Sequence, residues 1–286
     1  MHASLLSRPA GVGRPAVSIV ELEGVTYGPF AYRTDPEKVG EYADLAGAEQ
    51  SAETAPASLA GALLFTVAPH LLSDPRAGDA AAAVIHGDQA FTWYLPIPLG
   101  VELGVTGTVA RVRERGGVFF TVFELAVDLG GTKLLTGSST FLMSGAGTAP
   151  GGGEAERDEP EPNVGSRSEV SGAIGDEVSV LGTFAASRTD LVRYAGASRD
   201  WNPIHWDHAA AVAAGFPGVV VHGLLQSAWV IEAAVRLGLR PAAARFRYRR
   251  PMGDGVEARL TGVRRGAGAA FELADASGAF LTATVE

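Results

Sequence analysis

Tyr194-Ala195-Gly196-Ala197-Ser198-Arg199-Asp200-Trp201-Asn202-Pro203-Ile204-His205 is the stretch on which the reading of this chain turns. Asn-Pro forms turns, so Asp200 and His205 are predicted to flank a tight loop after a short helix. Such a loop can bring a carboxylate and an imidazole to one small site. A carboxylate accepts a proton and an imidazole titrates near neutrality, so the pair suits general acid/base work on water. From spacing alone, an Asp capping the turn with a His on the surface is the simpler reading.

Downstream, Phe216-Pro217-Gly218-Val219-Val220-Val221-His222 leads into Gly223 to Leu239, a segment apolar around nearly its whole circumference. A helix of that kind is buried. Gly223 would stand at its start, where unpaired N–H groups and the helix dipole favour negative charge. A glycine there lets a ligand carbonyl approach the backbone, as an oxyanion site requires. A glycine needed only for close helix–sheet packing fits the sequence equally well.

Asp200-Trp201-Asn202-Pro203-Ile204-His205, followed after sixteen residues by His222-Gly223, closely resembles the MaoC-like, (R)-specific enoyl-thioester hydratase/dehydratase family. The resemblance implies the α+β hot-dog fold, a long central helix wrapped by an antiparallel sheet. It implies that Asp200 and His205 activate water and that the Gly223 N–H polarises a thioester carbonyl. It needs no metal and no cofactor beyond the coenzyme A or acyl carrier protein of the substrate. Asn202 and His222 are candidates for substrate binding, although a histidine before the glycine is more often a satisfied core residue than a catalyst. One departure is visible: Arg199 stands where the family has Gly. Arg247 and Arg249, in the basic run Arg245 to Arg250, are candidates for binding the phosphates of coenzyme A or an acidic carrier protein. A solvated strand face paired with nearby acids is the competing reading. Alternation along a strand limits such a run to two or three arginines on one face. His205, Asp207 and His208 do not complete a metal site, so none is expected.

Two halves are expected. Phe91-Thr92-Trp93-Tyr94-Leu95-Pro96 matches Phe246-Arg247-Tyr248-Arg249-Arg250-Pro251 at an offset of 155, and Tyr42-Ala43 matches Tyr194-Ala195 at 152. Thr34-Asp35 and Thr189-Asp190 read as helix caps, with Pro36 at a first helical position. Helix signals followed by strand runs in each half argue for α+β, and the duplication makes the expectation a tandem, double hot dog. The expected division is residues 1–144, residues 145–168 as an acidic Gly/Pro-rich linker, and residues 169–286 as the catalytic unit. In the first half the apolar helix is predicted at roughly Leu59 to Leu72, and Tyr42 to Ser51 carries no Asn-Pro turn. His86-Gly87 is read as preceding a strand. By the resemblance, that half forms the acyl-chain pocket and the chain has one active site.

Composition narrows the alternatives. At 286 residues with 47% hydrophobic and 19% charged residues, the chain can bury a sizeable core. With no Cys, thiol nucleophiles, disulfides and iron–sulfur clusters are excluded. A net charge of -9 and pI near 5.2 argue against nucleic-acid partners. The N-terminal residues lack a signal-peptide core and no apolar run is long enough to span a membrane, so a cytoplasmic protein is expected. Two hot-dog units in one chain satisfy the usual pairing, which leaves monomer and homodimer open. The other functions to be weighed are acyl-thioester hydrolysis and non-catalytic acyl-thioester binding.

Overall fold

The computed structural model describes residues 18–145 and 174–286. The linker expected at residues 145–168 lies outside the described residues, Gly145 apart. Among the described residues no helix is long and apolar enough to cross a membrane.

Among the described residues ten antiparallel strands form one continuous sheet. The first half contributes β1 (Thr26–Arg33), β2 (Ala83–Trp93), β3 (Glu102–Arg115), β4 (Val118–Leu129) and β5 (Thr132–Ser144). The second contributes β6 (Ser179–Phe184), β7 (Ala243–Tyr248), β8 (Ala258–Arg265), β9 (Gly268–Asp275) and β10 (Gly278–Val285). The order is β1-β3-β4-β5-β2-β7-β10-β9-β8-β6. Read inward from either edge, both halves follow the same path, and they meet where β2 pairs with β7. Across that seam Gln89 faces Phe246 and Phe91 faces Ala244. Residues 155 apart in sequence therefore exchange places about a local two-fold axis, as the Phe91/Phe246 match requires.

The helices lie on one side of this sheet. In the first half α1 (Pro36–Ala46) is capped by Asp35, whose carboxylate accepts from the N–H groups of Glu37 and Lys38, with Pro36 in the first turn. Its counterpart α4 (Arg188–Ser198) begins one turn earlier than Thr189-Asp190 suggests. Ser187 is the cap, and the Asp190 carboxylate returns to the Ser187 N–H at 3.0 Å, a capping box. Tyr42 of α1 and Tyr194 of α4 meet across the two-fold axis, ring centroids 5.7 Å apart.

The second half holds a long buried helix, α6 (Gly223–Arg236), in which every residue from Leu224 to Ala234 is buried. The equivalent first-half segment is not one helix. It breaks into a 3-10 turn at Ala57–Leu59, then α2 (Ala60–Leu64) and α3 (Ala68–Leu72). Pro69 explains the interruption. It lacks an N–H to donate one turn back, and its ring would clash with the Phe65 carbonyl. The two halves share one hydrophobic core, crossed by polar contacts from α6. Ser58 N–H donates to Glu232 Oε1 at 3.1 Å and Trp229 Nε1–H to the Leu45 carbonyl at 3.3 Å.

Candidate active site

Asp200 and His205 meet at the N-terminal end of α6. Asp200 is placed by the end of α4, where Ser198 Oγ donates to the Tyr194 carbonyl at 2.6 Å and accepts from the Asp200 N–H at 3.2 Å. Arg199 then turns the chain with φ 65° and ψ 15°. Left-handed backbone normally falls to glycine, so Arg199 adopts the conformation its position demands and the loop keeps its path. Its guanidinium lies 5.0 Å from the centroid of Tyr32, a first-half residue on β1. The strain in Arg199 is worth about 1 kcal/mol and the cation–π contact roughly 0.5–1 kcal/mol. Arg199→Ala keeps the strain and loses the contact, whereas Arg199→Gly loses the contact and relieves the strain. The Gly variant is therefore expected to be more stable than the Ala variant by about 1 kcal/mol in denaturant unfolding. Equal midpoints would show that the left-handed turn carries no cost.

Beyond Asp200, Asn202 caps a 3-10 turn at Pro203–His205, its Oδ1 accepting from the Ile204 N–H at 3.4 Å. The Asn202 N–H donates to Asp200 Oδ1 at 3.3 Å. The turn is stapled to the segment before α6, since Val220 N–H donates to the Ile204 carbonyl at 3.1 Å. In return His205 Nδ1–H donates to the Val220 carbonyl at 2.8 Å. That bond fixes the tautomer of a neutral ring and leaves a lone pair on Nε2. Nε2 stands 3.9 Å from Asp200 Oδ2. The gap is too long for a direct hydrogen bond and short enough for one oxygen atom to touch both.

Burial sets the charge of the pair. Asp200 is 5% and His205 8% exposed, and desolvation disfavours the ionised form of each. The Asp200 carboxyl is pushed up to about 7, opposed by the Asn202 N–H. His205 is pushed down to about 4, opposed by its bond to Val220. Near neutrality the imidazole is uncharged and the carboxyl shares its population between acid and anion.

His222 supports this arrangement from beneath. It is fully buried, its ring stacks on His205 with centroids 3.8 Å apart, and its Nε2 lies 3.3 Å from the Asp200 carbonyl. Burial and the neighbouring His205 hold it well below the usual histidine range. Its place is thus to prop the loop. Asp200, His205 and His222 also present potential metal-ligating atoms within 4.8 Å of one another. Each ring, however, spends one nitrogen on a backbone carbonyl. The grouping differs from the sequence candidates Asp207 and His208, which sit at the start of α5 (His208–Ala213).

Gly223 opens α6, where the first N–H groups have no carbonyl one turn back. A Cβ on Gly223 would lie 2.9 Å from Tyr248 Cε1, so the aromatic ring packs directly on this residue. Tyr248 is tied to α6 in turn, its hydroxyl 2.7 Å from Ser227 Oγ. No motif points to Ser198, Ser227 or Tyr248. The available signal for the last two is spacing: Ser227 follows Gly223 by four residues on the helix, and Tyr248 shares the parity of buried Phe246 on β7.

That same parity sends Arg247 and Arg249 the other way. With Arg245 they are exposed along an open groove on the outer face of the sheet, across it from Tyr248 and the Asp200–His205 pair. Arg247 pairs with Asp88 at 2.8 Å and Arg249 Nε–H donates to Thr282 Oγ1 at 3.3 Å. The structure does not bring these two sequence candidates to the site, because strand alternation faces them outward. His86-Gly87 is likewise displaced from its expected place, lying within β2 at a register shift rather than before a strand.

A MaoC-like domain model matches residues 169–252, which contain the whole Asp200 to Gly223 constellation. A UPF0336 protein of Clavibacter michiganensis is 34% identical over 141 residues, 44% of this chain and 95% of that protein. The chain belongs to the MaoC-like dehydratase family. The 3-hydroxyacyl-thioester dehydratase X of Mycobacterium tuberculosis is 27% identical over 197 residues, 69% of this MaoC-like chain and 65% of that protein. A crystal structure of that dehydratase matches with a TM-score of 0.68 at 25% identity, covering 91% of this chain and 99% of the other. A second Mycobacterium tuberculosis protein, described as a double hot-dog fold, matches with a TM-score of 0.63 at 11% identity over 94% and 97% of the two chains. The fold of the MaoC-like chain is a double hot dog.

Proposed function

We propose that this chain reversibly hydrates trans-2-enoyl thioesters to (R)-3-hydroxyacyl thioesters, with its one active site in the second half. The observation that carries this reading is the Asp200–His205 pair, 3.9 Å apart beside the first N–H groups of α6. A water held between them is placed to add at C3. Its proton passes to His205 Nε2 as the C3–O bond forms. The charge released onto the thioester oxygen is held by the Gly223 N–H, and the Asp200 carboxyl delivers its proton to C2. Return of the proton from His205 to Asp200 restores the starting state. Run backwards, the same steps eliminate water from the 3-hydroxyacyl thioester. Water is the sole co-reactant, and the carrier, coenzyme A or acyl carrier protein, arrives with the substrate.

Loss of enoyl-thioester absorbance, followed together with free thiol, tests the reading. Hydration removes the absorbance without releasing thiol. Thiol release at the same rate would replace the hydratase with a thioesterase, and binding without turnover would leave an acyl-thioester-binding protein. In this mechanism the working state has neutral His205 and protonated Asp200. The hydration kcat/KM should therefore fall below about pH 4 as His205 protonates and above about pH 7 as Asp200 ionises. A rate that keeps rising past pH 8 would make ionised Asp200 the base and reverse the two roles.

A further inference from the structure

Tyr248 packs on the glycine that opens α6, and its polar end is not needed for that packing. Measured from the position a Gly223 Cβ would take, the ring atoms Cε1, Cδ1 and Cζ lie at 2.9, 3.2 and 3.2 Å. The ring edge nearest the glycine thus includes the carbon that bears the hydroxyl. That hydroxyl is 2.7 Å from Ser227 Oγ. Side chains on a helix lean toward the turn before them, so the bond to Ser227 sets the phenol oxygen over the turn that Gly223 begins. There Leu225 N–H and Gln226 N–H close back on the His222 carbonyl at 3.1 and 3.2 Å. The N–H groups of Gly223 and Leu224 stand ahead of that helical ladder.

The two hydroxyls have one proton more than their contact uses. Neither makes another hydrogen bond among the described residues, so one proton is left to donate, and Tyr248 keeps partial exposure. Desolvation lifts the phenol above the usual tyrosine range, with Asp88 and Asp200 adding to the rise and the Ser227 bond opposing it. The group therefore stays a neutral donor. The first half offers a contrast. Trp93 occupies the matching place in Phe91-Thr92-Trp93, against Phe246-Arg247-Tyr248, and its Nε1–H donates to the Ala57 carbonyl at 3.1 Å. The donor of that ring is spent on the chain's own backbone. The donor beside Gly223 is not.

We infer that Tyr248 is a further catalytic residue, its phenolic O–H donating to the same thioester oxygen as the Gly223 N–H. The inference rests on the reading of this site as one for enoyl thioesters and adds a second donor for the charge that develops there. Ser227 is the positioning residue: its hydroxyl donates to the phenol oxygen and leaves the phenol proton for the substrate. A ring required for packing alone would be served equally by phenylalanine, which has the same shape without the donor.

Tyr248→Phe is accordingly the test, in steady-state hydration of trans-2-enoyl-CoA. Its kcat is expected to fall about 10²-fold, as on removal of one oxyanion donor. KM should change little, because the charge on the oxygen develops after binding. The limits of the pH profile should stay in place while its plateau drops. The same loss should persist in the Tyr248→Phe/Ser227→Ala double variant, in which neither hydroxyl is left without its partner. An undiminished kcat in Tyr248→Phe would overturn the inference. So would a loss confined to KM, a shift of the pH limits, or recovery in the double variant, which would trace the loss to a stranded serine. If wild type hydrates no enoyl-CoA, the functional reading falls and takes the inference with it. Hydration by wild type with an equally active Tyr248→Phe strikes the inference alone.

Discussion

Asp200→Asn is expected to lower hydration by two to four orders of magnitude while leaving the protein folded. Asn keeps the shape of the side chain and its contact with the Asn202 N–H but has no proton to deliver to C2. Losing a positioned acid/base group typically costs about 10²–10⁴-fold. KM should change far less than kcat if, as proposed, the group acts on the reacting atoms. A structural role for Asp200 can be told apart by stability. Its folded pKa of about 7 lies above the ordinary 3.8. The stability this carboxyl contributes is thus present in full below pH 3.8 and is lost as pH rises through about 7. Asn carries no such dependence. Relative to wild type, the variant should gain stability across that interval, by up to a few kcal/mol. A variant that is inactive and also less stable at pH 8 would assign Asp200 to the framework rather than the reaction.

Gly223→Ala should be the second severe loss. The added methyl meets Tyr248 at 2.9 Å, with two more ring atoms at 3.2 Å. The ring cannot easily yield, being held by its bond to Ser227 at 2.7 Å. Either the ring or the first turn of α6 must move, and the N–H proposed to polarise the thioester moves with the turn. Removing one oxyanion donor costs about 10²–10³-fold, and overpacking of this kind costs about 1–3 kcal/mol of stability. Gly218→Ala is the control. A Cβ there would sit 3.6 Å from His208, an ordinary contact, so activity should persist. Wild-type rates in Gly223→Ala would remove the α6 N-terminus from the mechanism.

Much of the candidate site's geometry was legible because it is local. Asp200, Asn202, Pro203 and His205 lie within six residues, and a turn-forming pair tells where the chain bends. Gly223 was legible from the apolar segment it precedes. What escaped was non-local. Arg247 and Arg249 share a parity that the sequence displays, but only the packing of Phe246 and Tyr248 tells which side faces inward. The division into α2 and α3 was masked by an apolar run that looked continuous, although Pro69 stood inside it. Arg199 was conspicuous as a departure from glycine, yet its left-handed backbone and its contact with Tyr32 needed both halves in place. Ser187 displaced the expected cap because a serine three residues before Asp190 can close a reciprocal pair of bonds that Thr189 cannot.

The seam between β2 and β7 has an evolutionary consequence. In a dimer of identical chains, any substitution near the two-fold axis appears on both sides at once, and each change must be tolerated twice. Here the covalent joining of the copies breaks that constraint. One copy could retain the Asp200 turn while its twin broke its central helix at Pro69 and set His86 against Tyr248 and Tyr32 against Arg199. Joining also sets the local concentration of each half around the other independently of dilution. The sequence of one copy is thereby free to drift without disturbing the Asp200 turn of the other.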